Sequence, residues 1–155
     1  MTTLAATPPN AAYSLTEDLQ EPVRSESVRH PAPGEAEFED LLLQKLGARG
    51  WGRVHHFRNY CGPGWGAKTG KPLSPRAAEA FRRFLQEIAF PQGRQPSVFL
   101  TDRGGLELCW EDSNQKSVQV EFTSQGIEFY LEATDEEGLF GFDRIPDLAQ
   151  RLAAT

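Results

Sequence analysis

Residues 106–132 read LELCWEDSNQKSVQVEFTSQGIEFYLE, and the period of this stretch decides the fold. Large apolar side chains alternate with other residues in three runs: Leu106, Leu108 and Trp110; Val118, Val120 and Phe122; Ile127, Phe129 and Leu131. A period of two sends neighbouring side chains to opposite faces of a pleated strand, so each run reads as a strand with one oily face. The links at 112–116 and 123–126 are short, polar and turn-forming. Such links join antiparallel neighbours, because parallel neighbours need a crossover of about a dozen residues or more. A further apolar run at 97–101 precedes the turn Asp102-Arg103-Gly104-Gly105. The spacing therefore predicts a four-stranded antiparallel β-meander over 97–132.

Helices must cover the oily face. Phe81, Phe84, Leu85 and Ile88 recur at helical spacing. Ser74 suits the N-cap and Pro75 the first helical position, and Pro91 ends the segment. An earlier stripe, Phe38, Leu41, Leu42 and Leu46, predicts a helix over about 35–45. Its first turns carry Glu35, Glu37, Glu39 and Asp40, where carboxylates favour the positive end of the dipole. Gly47 and Gly50 read as its stop. A short helix over about 145–153 closes the chain, with Pro146 in its first turn. The predicted class is α+β, with two or three helices on one face of the sheet.

Outside this core the chain changes character. Residues 1–33 are rich in Thr, Ala, Pro, Ser and Glu, and Pro22 interrupts the one helical stripe, Leu15, Leu19 and Val23. This composition predicts a disordered N-terminal arm that orders on binding, followed by a single domain over 34–155. Hydrophobic residues make up 39% of the chain, a value that an arm diluting an ordinary domain accounts for. The two cysteines, Cys61 and Cys109, stand apart, which excludes a disulfide scaffold and a CxxC zinc ribbon. The first residues, MTTLAATPPN, have no basic and then apolar pattern, and no run approaches the roughly 18 apolar residues of a membrane span. The expectation is a cytoplasmic protein with no membrane, metal or cofactor.

The net charge of −6 is unevenly spread. Residues 1–48 hold eight acids against three bases, 49–95 two against nine, and 96–155 twelve against four. The polar face of the predicted sheet would show Glu107, Cys109, Glu111, Gln119, Glu121, Glu128, Tyr130 and Glu132. Like charges on neighbouring strands oppose pairing, so Glu107, Glu111, Glu121, Glu128 and Glu132 on one face invite an explanation. A solvated, aggregation-resistant face is the bland one. The functional one is a dock for a protein with a basic surface, anchored by Tyr130.

The other candidate is the stretch 50–73, GWGRVHHFRNYCGPGWGAKTGKPL, read as a long loop that is basic, aromatic and rich in glycine. Arg53, His55, His56, Arg58, Tyr60, Trp65 and Lys68 would supply cations for phosphates and rings for stacking on bases. The histidines raise the option of metal-independent RNA cleavage. No GxxxxGK[ST] is present, and adjacent histidines are poorly placed to share one metal ion.

From Gly64 to Glu132 the chain resembles a family of small bacterial proteins with no assigned activity. The stretches that carry the likeness are GWGAKTGKPLSPRAAEAFRRFL, PSVFLTDRGGLELCWE, SVQVEF and GIEFYL. Typical relatives have a Trp-Asp-Gly-like start where this chain has Trp65-Gly66-Ala67. The resemblance implies an accessory-gene protein beside toxin or phage-related genes, and it carries over no catalytic residue. Residues and resemblance together lead to an expected non-enzymatic, protein-binding accessory protein: an inhibitor, an antitoxin-like partner or a complex subunit. The alternative is an RNA-binding or RNA-cleaving module using 51–71.

Overall fold

The computed structural model of the protein describes residues 34–153, so the expected N-terminal arm lies outside the described residues. The elements run α1 (Glu35–Tyr60), α2 (Pro75–Glu87), β1 (Ser97–Leu100), β2 (Leu106–Glu111), β3 (Ser117–Phe122), β4 (Ile127–Leu131), β5 (Glu136–Phe140), one 3-10 turn (Phe142–Arg144) and α3 (Ile145–Ala153). The fold is α+β. The strands form one antiparallel sheet in sequence order, β1-β2-β3-β4-β5.

That sheet has five strands where the sequence predicts four. The fifth, EEGLF, buries only Phe140 and lies at the sheet edge. An edge strand with one inward anchor shows little alternation, so its period is illegible in the sequence. It is held by pairing: Leu131 faces Glu136, Phe129 faces Gly138 and Ile127 faces Phe140. Gly138 is required there, because a Cβ would lie 2.6 Å from the Phe129 ring.

The predicted strand periods hold. Every inward residue of the three runs is buried, and together with Val98, Leu100 and Phe140 they make one oily face. Helix α2 lies over it, with Phe122 edge-on to Phe81 at 5.5 Å and tilted against Phe84 at 5.1 Å. The Ser74 Oγ accepts the Ala77 N–H at 3.4 Å and Pro75 starts the helix, as the cap chemistry requires. Helix α3 packs on α2, burying Ile145, Leu148, Ala149 and Leu152.

Helix α1 corrects the sequence reading. It does not stop near residue 46; it breaks at Gly47, whose φ of 68° and ψ of 179° are not helical, and then continues to Tyr60. The positive φ suits glycine. Gly50 is no terminator either. A Cβ there would lie 2.4 Å from the Leu46 Cβ, so glycine permits the close approach that the kink creates. Leu46, Gly50 and Val54 then form a buried row at spacing four, which packs α1 against β1. Residues 51–60 are therefore helix, and the predicted loop shortens to 61–74. Within it Trp65 pairs with Gly70 as an isolated antiparallel bridge.

Candidate functional site

Helix α2 covers the oily side of the sheet with α3 packed on it, and α1 packs against β1 at the sheet edge. Side-chain rows run over the other face, where Arg53 of α1 reaches Phe99 at the β1 edge. In the first row Phe99 faces Glu107, Glu107 faces Glu121, Glu121 faces Glu128, and Glu128 faces Leu139. Three glutamates on adjacent strands thus stand side by side between two apolar residues. Phe99 and Leu139 are exposed, Leu139 to 69%. The second row runs Ser97, Cys109, Gln119, Tyr130, Glu137. A concavity of about 530 Å³ lies over the rows, lined by Glu107, Gln119, Glu121, Glu128, Tyr130 and Leu139 among others.

The predicted acidic residues therefore share one face, but they do not stand as free charges. Arg103 reaches over the sheet from the β1–β2 turn. It donates to Glu128 Oε1 at 3.1 Å and Oε2 at 2.9 Å, and also to Glu121. This bridge holds the Glu128 carboxyl below the usual carboxylate range, chiefly by hydrogen bonding and then by charge. Glu111 pairs with Arg94. Glu132 accepts the Ser117 N–H at 2.8 Å and pairs with Lys116 at 3.0 Å, and these two contacts, in that order, lower its pKa. The reading of the face as bare carboxylate is corrected accordingly: sequence alternation sees strands and not the turn cations folding back over them. What remains is an imbalance. With Glu137 added from β5, six carboxylates meet three cations, and among the described residues Glu107 and Glu137 have no salt bridge.

Arg103 is held in place by the chain beneath its turn. Thr101 N–H donates to Gly105 O at 3.0 Å and Gly104 N–H to Thr101 O at 2.9 Å. The loop before α2 clamps the outside: Lys71 N–H donates to Asp102 O at 3.0 Å and Ser74 N–H to Gly104 O at 2.8 Å. Gly104 has a φ of 78°, and a Cβ there would sit 2.4 Å from Pro72 O. Tyr130 is steadied by its hydroxyl, which donates to Asp135 Oδ1 at 3.3 Å. Cys109 points to this face, as alternation predicts. Burial, and then the charge of Glu107, push its thiol up to about 12, so it is no nucleophile at neutral pH.

The basic aromatic candidates fare differently. Five of them, Arg53, His55, His56, Arg58 and Tyr60, sit on α1 and not on a loop. At about 100° per residue Arg53, His56 and Tyr60 share one face of the helix, while His55 and Arg58 point away from it. The Arg53 guanidinium stacks over Phe99 at 4.5 Å and Phe57 at 5.8 Å. His55 lies 5.5 Å from Trp51, and His56 stacks on Tyr60 at 5.3 Å. Arg58 turns back to Glu35 at 3.2 Å and Glu39 at 3.4 Å. Trp65 spends its indole N–H on Lys71 O at 2.7 Å, and Lys68 is exposed with a φ of 71°.

Sequence reasoning missed Arg103, Phe99, Glu137 and Leu139 as members of the open face. The signal for Arg103 was a lone cation in a four-residue turn beside strands rich in glutamate. Among the described residues no group of three or more His, Cys, Asp or Glu is placed to hold a metal ion, and no helix is long and apolar enough to cross a membrane. Comparison with protein-family models, with curated proteins and with solved structures finds no match to this chain.

Proposed function

We propose that the protein is a non-enzymatic binding protein that docks a basic protein partner on the open face of its sheet. The observation that carries this reading is the row Phe99, Glu107, Glu121, Glu128, Leu139, over which no described helix or strand packs beyond the Arg53 side chain on Phe99 and the Arg103 bridge. Directly opposed glutamates on neighbouring strands weaken a sheet, by roughly 0.2–1 kcal/mol per pair. Their arrangement makes physical sense if a lysine or arginine of a partner completes what Arg103 neutralises in part. The exposed Phe99 and Leu139 at either end, with Tyr130 beside them, supply apolar anchors around that charged centre. Accessory, inhibitor and antitoxin-like roles are all forms of this one chemistry.

The test is affinity capture from the native host, comparing the wild type with the variant Glu107→Lys/Glu137→Lys. These two positions carry no salt bridge among the described residues, so reversing them leaves the Arg103 bridge in place. A stoichiometric basic partner should co-purify with the wild type, weaken with salt, and be lost from the variant while its circular dichroism is unchanged. The same partner retained by the folded variant would remove the proposal.

A further inference from the structure

Beside the kink in α1, at the β1 edge of the sheet, lies a cavity of about 90 Å³. Its polar lining is Arg49, Arg53, Gln95 and Ser97, with Leu46 and Pro96 completing the wall. We propose that it binds a small tetrahedral oxyanion: inorganic phosphate or the terminal group of a phosphomonoester.

The chemistry of the lining is one-sided. Each polar side chain can donate a hydrogen bond, and no carboxylate lines the cavity. Six other arginines of the described residues, Arg58, Arg82, Arg94, Arg103, Arg144 and Arg151, are paired with acids. Arg49 and Arg53, like Arg76 and Arg83, have no ion pair among the described residues; the cavity lined by that second pair also holds Glu79, whereas Arg49 and Arg53 share one without a carboxylate. They stand four apart on one helix, where like charges oppose each other. An anion between them reverses that sign.

The geometry of Arg53 is pre-set. Phe99 and Phe57 stack against its guanidinium, which fixes the plane and leaves the in-plane N–H groups to a ligand. Its Nε is buried and has no acceptor. Buried donors without partners are rare because they are costly, and a bound oxyanion would supply the missing acceptor. Gln95 is held against the break in the helix: a Cβ on Gly47 would lie 2.5 Å from Gln95 Nε2. The positive-φ glycine thus both kinks α1 and makes room for the amide. The volume suits one oxyanion in place of a few waters, and it is far below the roughly 300 Å³ at which drug-sized sites begin.

This site adjoins the docking face through Ser97 and Phe99, but phosphate binding is read without any protein partner. Its test is isothermal titration of the full chain with sodium phosphate, at ionic strength held constant with sodium chloride. The wild type should saturate with a millimolar or tighter Kd. Arg53→Lys keeps the charge and loses the fork, and should weaken binding about tenfold or more. Arg49→Ala, at an exposed position that leaves the core intact, should also weaken it severalfold. Ribose 5-phosphate is the second probe: tighter binding than phosphate assigns the site to phosphomonoesters, and weaker binding assigns it to the free ion. No saturable heat at 20-fold above about 1 mM, or equal affinity in the wild type and both variants, overturns the proposal.

Discussion

Removing Arg103 should expose the electrostatic strain in the open face. In Arg103→Ala, Glu121 and Glu128 lose their shared cation, and three adjacent glutamates are left facing one another. Each exposed ion pair is worth about 0.2–1 kcal/mol, and the Arg103 side chain is 56% exposed, which places these pairs in the lower half of that range. Renewed repulsion across two directly opposed pairs adds a similar amount. The variant should therefore lose about 1–2 kcal/mol at pH 7, a shift in the urea midpoint of roughly 0.5–1 M. The pH dependence carries the sharper sign. In the wild type the folded Glu128 carboxyl lies below its ordinary value, so its contribution is complete above the unfolded pKa and fades as pH falls through the lowered folded value. In the variant the crowded carboxyls prefer to be protonated when folded, so acidification from pH 7 towards about 4.5 should relieve it. Urea titrations followed by tryptophan fluorescence at pH 7, 5.5 and 4.5 should show the gap between the two proteins closing as pH falls. Equal stability at pH 7, or a gap that widens in acid, would refute the reasoning.

Gly50→Ala pits two effects against each other. Alanine favours helix by about 1 kcal/mol, but its Cβ would meet Leu46 Cβ at 2.4 Å. Overpacking should win and cost a net 1–2 kcal/mol, read as a lower melting temperature. Phe122→Ala should cost about 3–5 kcal/mol, because it removes the ring under both Phe81 and Phe84. Cys109, with its thiol near 12, should be alkylated slowly at pH 8. Its thiolate fraction falls roughly a thousandfold below that of a free thiol, and its greater nucleophilicity recovers only part, leaving a rate about fiftyfold lower by mass spectrometry.

Those residues also mark what a reader of the sequence can and cannot see. Alternation in Val118, Val120 and Phe122 shows the inward face directly, because burial on one side of a strand forces a period of two. The cap at Ser74 is equally local. β5 escapes because an edge strand with a single buried anchor has no period. The extension of α1 escapes because Gly47 and Gly50 look like stops, while their role depends on Leu46 and Gln95 in three dimensions. The acidic side chains are predicted on the correct face. Their neutralisation is not, since Arg103, Arg94 and Lys116 come from outside the strands. The basic aromatic residues are misplaced for a related reason: once 51–60 is helix, residues read as one loop are arranged around a cylinder.

The claim at the centre is that the open face of the sheet holds a basic partner through Glu107 and Glu137, the carboxylates that carry no salt bridge among the described residues. Once affinity capture supplies a candidate, the direct measurement is the Kd of that partner for the wild type and for Glu107→Lys/Glu137→Lys, across 50 to 500 mM salt. Tight binding that falls steeply with salt, and that weakens at least tenfold on charge reversal in a folded variant, is the predicted result. A Kd indifferent to both salt and the substitutions would contradict the account.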